Sequence, residues 1–185
     1  MNDYTHYVMV FLVKSKSEVP QIIKEYILRA EAHWNLKVSK MRCDNGREYI
    51  NEKVLTWCRE RGIQIDNTVP HTPQLNGRAE RLNRTLMDKA RALLFDSSLN
   101  KEMWGEAVRT SAYLLNRMPT ETLKTTPYEM WEKRKPNLKS LQVFGAEAYA
   151  KVLGPLKKLD KRSERYTFVG YAPTGYRLWN PTKER

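Results

Sequence analysis

The spacing of apolar residues switches between two periods several times along this chain, and that switching constrains the fold more than any other feature. Tyr4 to Val13, YTHYVMVFLV, is dense in aromatic and β-branched residues and reads as a strand. SEVPQIIKEYILRAEAHW then sets Ile22, Ile23, Tyr26, Ile27 and Ala30 on one face behind a Ser and a Pro, the pattern of an amphipathic helix. LKVSKMRC alternates over a short span and stops at Asp44-Asn45-Gly46, a turn signal, so a second strand delivers Asp44 at its C-terminal end. A helix from Asn51 to Arg61 is ended by Gly62. IQIDNTV alternates again, and PHTPQLNG, with two prolines and a glycine, reads as a loop. From Arg78 the period is helical, with Ala79, Leu82, Leu86, Ala90 and Leu93 as the core stripe.

A further helix is predicted from Lys101 to Asn116, and TTPYEMWEKR reads as a short one with a Pro near its start. Pro136 to Ser140 is the expected boundary, because LQVFGAEAYAKVL and RYTFVGYAPTGYRLWN beyond it read as short strands with Gly/Pro turns. Strand, helix, strand, helix, strand, loop, long helix describes an α/β domain over residues 1–138, and the tail over 139–185 describes a small β-barrel. Trp104, Trp131, Phe144 and Tyr149 fall within periodic patterns and are expected in the core or at an interface.

The charge balance narrows the partners. Lys+Arg number 33 against Asp+Glu 21, a net charge of +12, which favours polyanions through counterion release and makes nucleic acid the leading candidate. From Leu141 to Arg185 nine basic residues face four acidic ones, so the surplus is not one basic tail. There is no apolar run near 18 residues and no signal-peptide pattern, so no membrane is expected and the chain is read as soluble and intracellular. Cys43, Cys58, His6, His33 and His71 are scattered where zinc needs clustered pairs, so no zinc site is expected and the two cysteines are read as reduced thiols.

The chemistry rests on two carboxylates. Thirty-five residues separate Asp44 from Glu80, one at a strand end and one on a helix, with Asn83 and Arg84 within one turn of the glutamate. Carboxylates projected from different rigid elements onto one point hold divalent cations for phosphoryl transfer, and Mg²⁺ suits such oxygen donors. Taken singly, Asp44 is equally a turn aspartate and Glu80 a solvated ion-pair partner.

Together with Pro73-Gln74-x-Asn76-Gly77-x-x-Glu80, the pattern resembles the catalytic cores of retroviral and retrotransposon integrases. DYTHYVMVFLVKSKSEV, HTPQLNGRAERLNRTL, WGEAVRTSAYLLNRMP, TPYEMW and VFGAEAYA are similar, in order and across essentially the whole chain, to copia-type integrases. The resemblance implies a ribonuclease-H-like α/β core followed by a small SH3-like β-barrel, and joining of DNA ends to target DNA by a Mg²⁺- or Mn²⁺-dependent polynucleotidyl transferase. It places Asp44 and Glu80 as catalytic metal ligands, Gln74, Asn76 and Gly77 in a loop that approaches DNA, and Asn83 and Arg84 facing DNA. In the SH3-like tail, Lys157, Lys158, Lys161, Arg162 and Arg165 are phosphate-binding candidates, with a solubilising charged loop as the alternative.

The family's site has three acids, and its first, on the first strand, has no counterpart here. Asp3 lies in surroundings that resemble a turn. The chain is therefore expected to be an N-terminally truncated core lacking its first two strands, which leaves Tyr4 to Val13 without its neighbour, and to bind DNA without strand-transfer activity of its own. A non-catalytic nucleic-acid-binding module, or a remnant that associates with itself or with a full-length integrase, is the alternative. The expected place of action is the nucleus, with no targeting signal visible.

Overall fold

The computed structural model describes the chain except residues 44–45, 47–48, 50, 68–72 and 181–185, and the side chains of residues 67 and 73–76. It divides into two compact units, residues 11–82 and residues 1–10 with 83–185.

The unit of residues 11–82 is built on a strand–helix–strand element. Helix α1 (Val19–Trp34) starts behind a capping box in which Ser15 and Glu18 satisfy each other's backbone N–H groups, and it ends at Asn35 in the left-handed conformation. Strand β1 (Lys40–Cys43) leads to helix α2 (Glu52–Glu60), whose Asn51 side chain accepts the Val54 N–H. Gly62, at φ 70°, turns the chain into strand β2 (Gln64–Asn67). β1 and β2 pair in parallel, Lys40 opposite Gln64 through Cys43 opposite Asn67. Ile27, Val54, Cys58 and Ile63 form the core, with Ile23, Tyr26, Met41 and Trp57 packed on it. Burial raises the pKa of the Cys58 thiol, and neither it nor the half-buried Cys43 is in a disulfide.

A buried carboxylate ties this unit together. Glu31, near the end of α1, accepts the Val38 N–H at 3.0 Å, pairs with Arg61 beyond α2 and lies 3.6 Å from Lys37. The Val38 N–H, and after it Arg61 and Lys37, hold its carboxyl below the usual glutamate range against the opposing effect of burial. Arg61 also lies over the Trp57 ring, 5.1 Å from its centroid.

In the other unit, helix α3 (Pro73–Ser97), which begins among residues 11–82, is followed by helix α4 (Trp104–Leu115) and helix α5 (Pro127–Glu132), the last capped by Thr126. Strands β3 (Glu147–Lys151), β4 (Ser163–Ala172) and β5 (Gly175–Trp179) form an antiparallel sheet in that order. Ala90, Ala107, Val108, Phe144 and Val169 make its core. The sheet lies close against α4. A Cβ on Gly170 would stand 2.9 Å from the Thr110 hydroxyl, which donates to the Val169 carbonyl, so only glycine lets the strand approach this helix. Tyr113 stacks on Tyr171 at 3.8 Å, Arg117 lies 3.3 Å over Tyr113, and Arg177 grips Glu106 through two bonds of 2.6 and 2.7 Å.

Four expectations change. Tyr4 to Val13 forms no strand: residues 3–5 are a turn, which includes Asp3, and residues 6–13 have no ladder partner among the described residues. A strand without a neighbour needs its backbone groups met elsewhere, and at Val8 the buried Asn116 amide does this. Its Oδ1 accepts the Val8 N–H and its Nδ2 donates to the Val8 carbonyl, both at 2.8 Å. Second, the stretch read as a loop before Arg78 is already helix from Pro73, so Gly77 lies within α3. Proline in the first turn fits a helix start, because its φ is preset and its missing N–H would be unpaired there anyway.

Third, Ala79 is exposed, and the fully buried part of the α3 stripe is Leu86 and Ala90. Fourth, Trp131 and Phe144 are core as expected, but Trp104 is 53% and Tyr149 66% exposed. On β3 the half-buried positions are Ala148 and Ala150, so Tyr149 takes the outer face, where its hydroxyl donates to Glu147. Trp104 opens α4, while Ala107 and Val108 one turn later fill the core.

Candidate nucleic-acid interface

β1 brings the chain to Cys43, one residue before Asp44, which lies outside the described residues. The nearby acid that the sequence did not single out is Asp66 on β2. Lys40 lies 3.1 Å and Arg42 3.5 Å from its carboxylate, and these cations, Lys40 first, hold it below the usual aspartate range. Alternation of apolar and polar residues gave Asp66 a strand position, but its pairing with Arg42 opposite and Lys40 two residues earlier becomes visible only once β1 and β2 are side by side. Asp66 is therefore a neutralised carboxylate.

Glu80 is different. It stands on the first part of α3, is solvent-exposed, and makes no hydrogen bond or ion pair with the described residues, the arginines at 81 and 84 included. Gly77, one turn earlier, is half-buried, and a Cβ there would meet only the end of Arg81 at 4.0 Å. The side chains of Gln74 and Asn76 lie outside the described residues. Asn83 and Arg84 are exposed on α3. Among the described residues no group of three or more His, Cys, Asp or Glu side chains converges as a metal site would.

At the far end of the chain, Lys157, Lys158, Lys161 and Arg162 are exposed in the connection between β3 and β4, and none of their side-chain cations meets a carboxylate of the described residues. Arg165, on β4, is 3.5 Å from Glu147 and so partly engaged. Unpaired cations at this density bind phosphates by releasing condensed counterions.

The comparisons with known proteins fit this division. A family model for the retroviral polymerase SH3-like domain matches residues 146–185. A retrovirus-related Pol polyprotein from transposon TNT 1-94 of Nicotiana tabacum is 38% identical over 189 aligned residues, covering 100% of this chain. The chain belongs to the copia-type retrovirus-related Pol polyproteins. A second relative, the Pol polyprotein from transposon RE1 of Arabidopsis thaliana, is 30% identical over 177 residues and covers 94% of the chain. The chain spans 14% and 12% of the lengths of these two relatives.

Two solved structures share the fold of the chain. The HTLV-2 integrase catalytic core domain, solved in complex with magnesium in a trimeric form, has TM-score 0.52 at 16% identity and covers 70% of this chain and 79% of that one. A chain of the simian T-cell lymphotropic virus intasome, solved in complex with PP2A regulatory subunit B56 gamma, has TM-score 0.55 at 16% identity and covers 95% of this chain and 66% of that one. At that identity they establish the fold, and the fold of this Pol segment is that of an integrase core, ribonuclease-H-like. No helix among the described residues is long and apolar enough to cross a membrane.

Proposed function

We propose that this Pol segment binds DNA through its basic surface and carries part of the site of a Mg²⁺- or Mn²⁺-dependent DNA-joining enzyme. The observation that supports it best is the contrast between two acids of one unit: Asp66 is taken up by Lys40 and Arg42, while Glu80 is exposed and without a partner among the described residues. A carboxylate held free on a rigid helix suits cation binding, whereas a structural one is normally paired.

The donor chemistry fits a divalent ion, since Asp44 and Glu80 are both hard oxygen ligands. Bound there, such an ion neutralises charge on a phosphoryl group and lowers the pKa of a water or hydroxyl that attacks it. The chain's own residues then have simpler tasks. Asp44 and Glu80 hold the cation. Gly77, where an added Cβ would meet only the end of Arg81 among the described residues, lets the α3 backbone come near a DNA end, and Gln74 and Asn76 offer amide groups to it. Asn83 and Arg84 position the backbone by hydrogen bonds and charge. Lys157, Lys158 and Lys161 add phosphate contacts from the SH3-like part. In this reading residues 1–138 are the core module and 139–185 the SH3-like module, both acting on DNA in the nucleus.

Two carboxylates do not make the metal pair of an in-line displacement, so the 185 residues by themselves bind DNA without joining it. The assay is strand transfer with labelled duplex ends in Mg²⁺ or Mn²⁺, beside fluorescence anisotropy for binding. The expected result is binding without joining. Joining should appear when the preceding segment of a relative, with its aspartate, is fused in frame, and should vanish again with Glu80→Gln. Metal-dependent joining by the unmodified chain would refute the incomplete-site account. Failure to bind any duplex would refute the DNA reading.

A further inference from the structure

The connection from β3 to β4, VLGPLKKLDKR over residues 152–162, carries apolar side chains where the surface is largely exposed. Leu153 is 90% and Leu159 98% exposed, with Leu156 between them at 38%. Single exposed leucines are ordinary, but Leu153 and Leu159, two within seven residues, forgo burial that is worth roughly 1.5–3 kcal/mol for each such side chain. The tip is also tied by hydrogen bonds. The Val152 N–H donates to the Arg162 carbonyl at 3.0 Å and closes the base of the hairpin. At the tip the Lys157 N–H donates to the Asp160 carboxylate at 2.7 Å, and the Asp160 N–H donates to the Lys157 carbonyl at 3.2 Å. Lys157-Lys158-Leu159-Asp160 is thus a turn tied by its own aspartate, with Leu159 at its third position.

Charge identifies the occupant. Asp160, the one acid of the tip, is spent on the turn through the Lys157 backbone N–H, while the side-chain cations of Lys157, Lys158, Lys161 and Arg162 find no carboxylate among the described residues. A surface that receives an apolar point ringed by unpaired cations must be apolar within and anionic at its rims. The minor groove of duplex DNA offers both: rows of phosphates flank a groove about 6 Å wide, and apolar wedges enter there between base steps, where they meet the apolar faces of the bases. Phosphate contacts alone would need no leucine.

We propose that this hairpin tip is a minor-groove wedge: Leu159 inserts at a base step and bends the duplex while Lys157, Lys158 and Lys161 hold the flanking phosphates. This rests on the DNA-binding reading above and adds its mode. The full 185-residue chain would be titrated onto a duplex of about 30 base pairs, short against the DNA persistence length, labelled at both ends for energy transfer. The unmodified chain should raise end-to-end transfer at saturation. Leu159→Ser should bind with the same salt slope, roughly tenfold more weakly, and leave the duplex unbent, whereas Leu159→Met should still bend it.

Bending by Leu159→Ser equal to that of the unmodified chain, with binding weakened by Lys157→Ala/Lys158→Ala/Lys161→Ala, would sink the wedge and leave DNA binding standing. No duplex binding by the unmodified chain would remove both. A change in sedimentation of Leu159→Ser from an oligomer to a monomer, with bending unaltered, would make the tip a contact between copies of the chain and overturn the proposal as well. Circular dichroism checks that each variant keeps the fold, which a substitution at a fully exposed tip should not disturb.

Discussion

The two compact units use charge in opposite ways. In residues 11–82 charged groups hold elements together: Glu31 joins α1 to the approach of β1 and to the end of α2, and Asp66 braces Lys40 and Arg42 across the parallel pair. In the other unit the joints are mostly neutral. Asn116 serves as a neighbour for Val8, Thr110 meets Val169, and Tyr113 stacks on Tyr171, while Glu106 with Arg177 and Glu147 with Arg165 are ionic joints beside them. There the cations of the β3–β4 tip are left over. Paired charge thus marks scaffold and unpaired charge marks a surface open to a polyanion, and Glu80 stands on the unpaired side although its unit favours pairing.

The sharpest break of this contrast is Glu31→Ala. Removing one partner of a buried pair leaves Arg61 and the Val38 N–H uncompensated, so a loss of about 3 kcal/mol is expected in urea unfolding. Because the folded-state pKa of Glu31 is depressed, its contribution is full above the ordinary glutamate range and falls away as pH drops through the lowered value. Glu31→Gln should flatten that acid limb. An unchanged acid limb would mean that Glu31 is not the latch.

Next comes Asn116→Ala, which strands both backbone groups of Val8 in a buried place. A loss of about 2 kcal/mol is expected, with no sensitivity to pH between the carboxylate and histidine ranges because the clamp is neutral. Faster amide exchange at Val8 would locate the damage. Protection at Val8 equal to that of the unmodified chain would contradict the clamp.

The smallest effect is that of Arg84→Ala, at a position that is exposed and off the buried stripe. Duplex binding should weaken by on the order of 1 kcal/mol with folding unchanged, as for one charge-assisted phosphate contact. Loss of helix by circular dichroism would make Arg84 structural.

Much of this contrast is legible in the residue pattern alone. The switch of period marks both helices and strands of the first unit, and Asn51 and Gly62 mark the ends of α2, because local propensities and tertiary packing agree there. Three features are not legible in this way. The parity of β3 hides behind its small residues, since Ala148 and Ala150 face inward and Tyr149 outward. Pro73 opens a helix as readily as it breaks one. The pairing of Asp66 depends on the β1–β2 register, which no local window contains. Of the site, Glu80 and the tip lysines are legible by residue type and spacing, but their freedom from partners is a property of the folded surface.

That freedom is the central claim, and the salt dependence of duplex binding measures it most directly. For the unmodified chain, log K plotted against log salt concentration should fall steeply. Replacing Lys157, Lys158 and Lys161 together by alanine should reduce the slope by roughly two to three, close to one unit for each phosphate no longer neutralised. Replacing Lys40 and Arg42, which are committed to Asp66, should leave the slope unchanged. A slope that responds to Lys40 and Arg42 but not to the tip lysines would contradict the account.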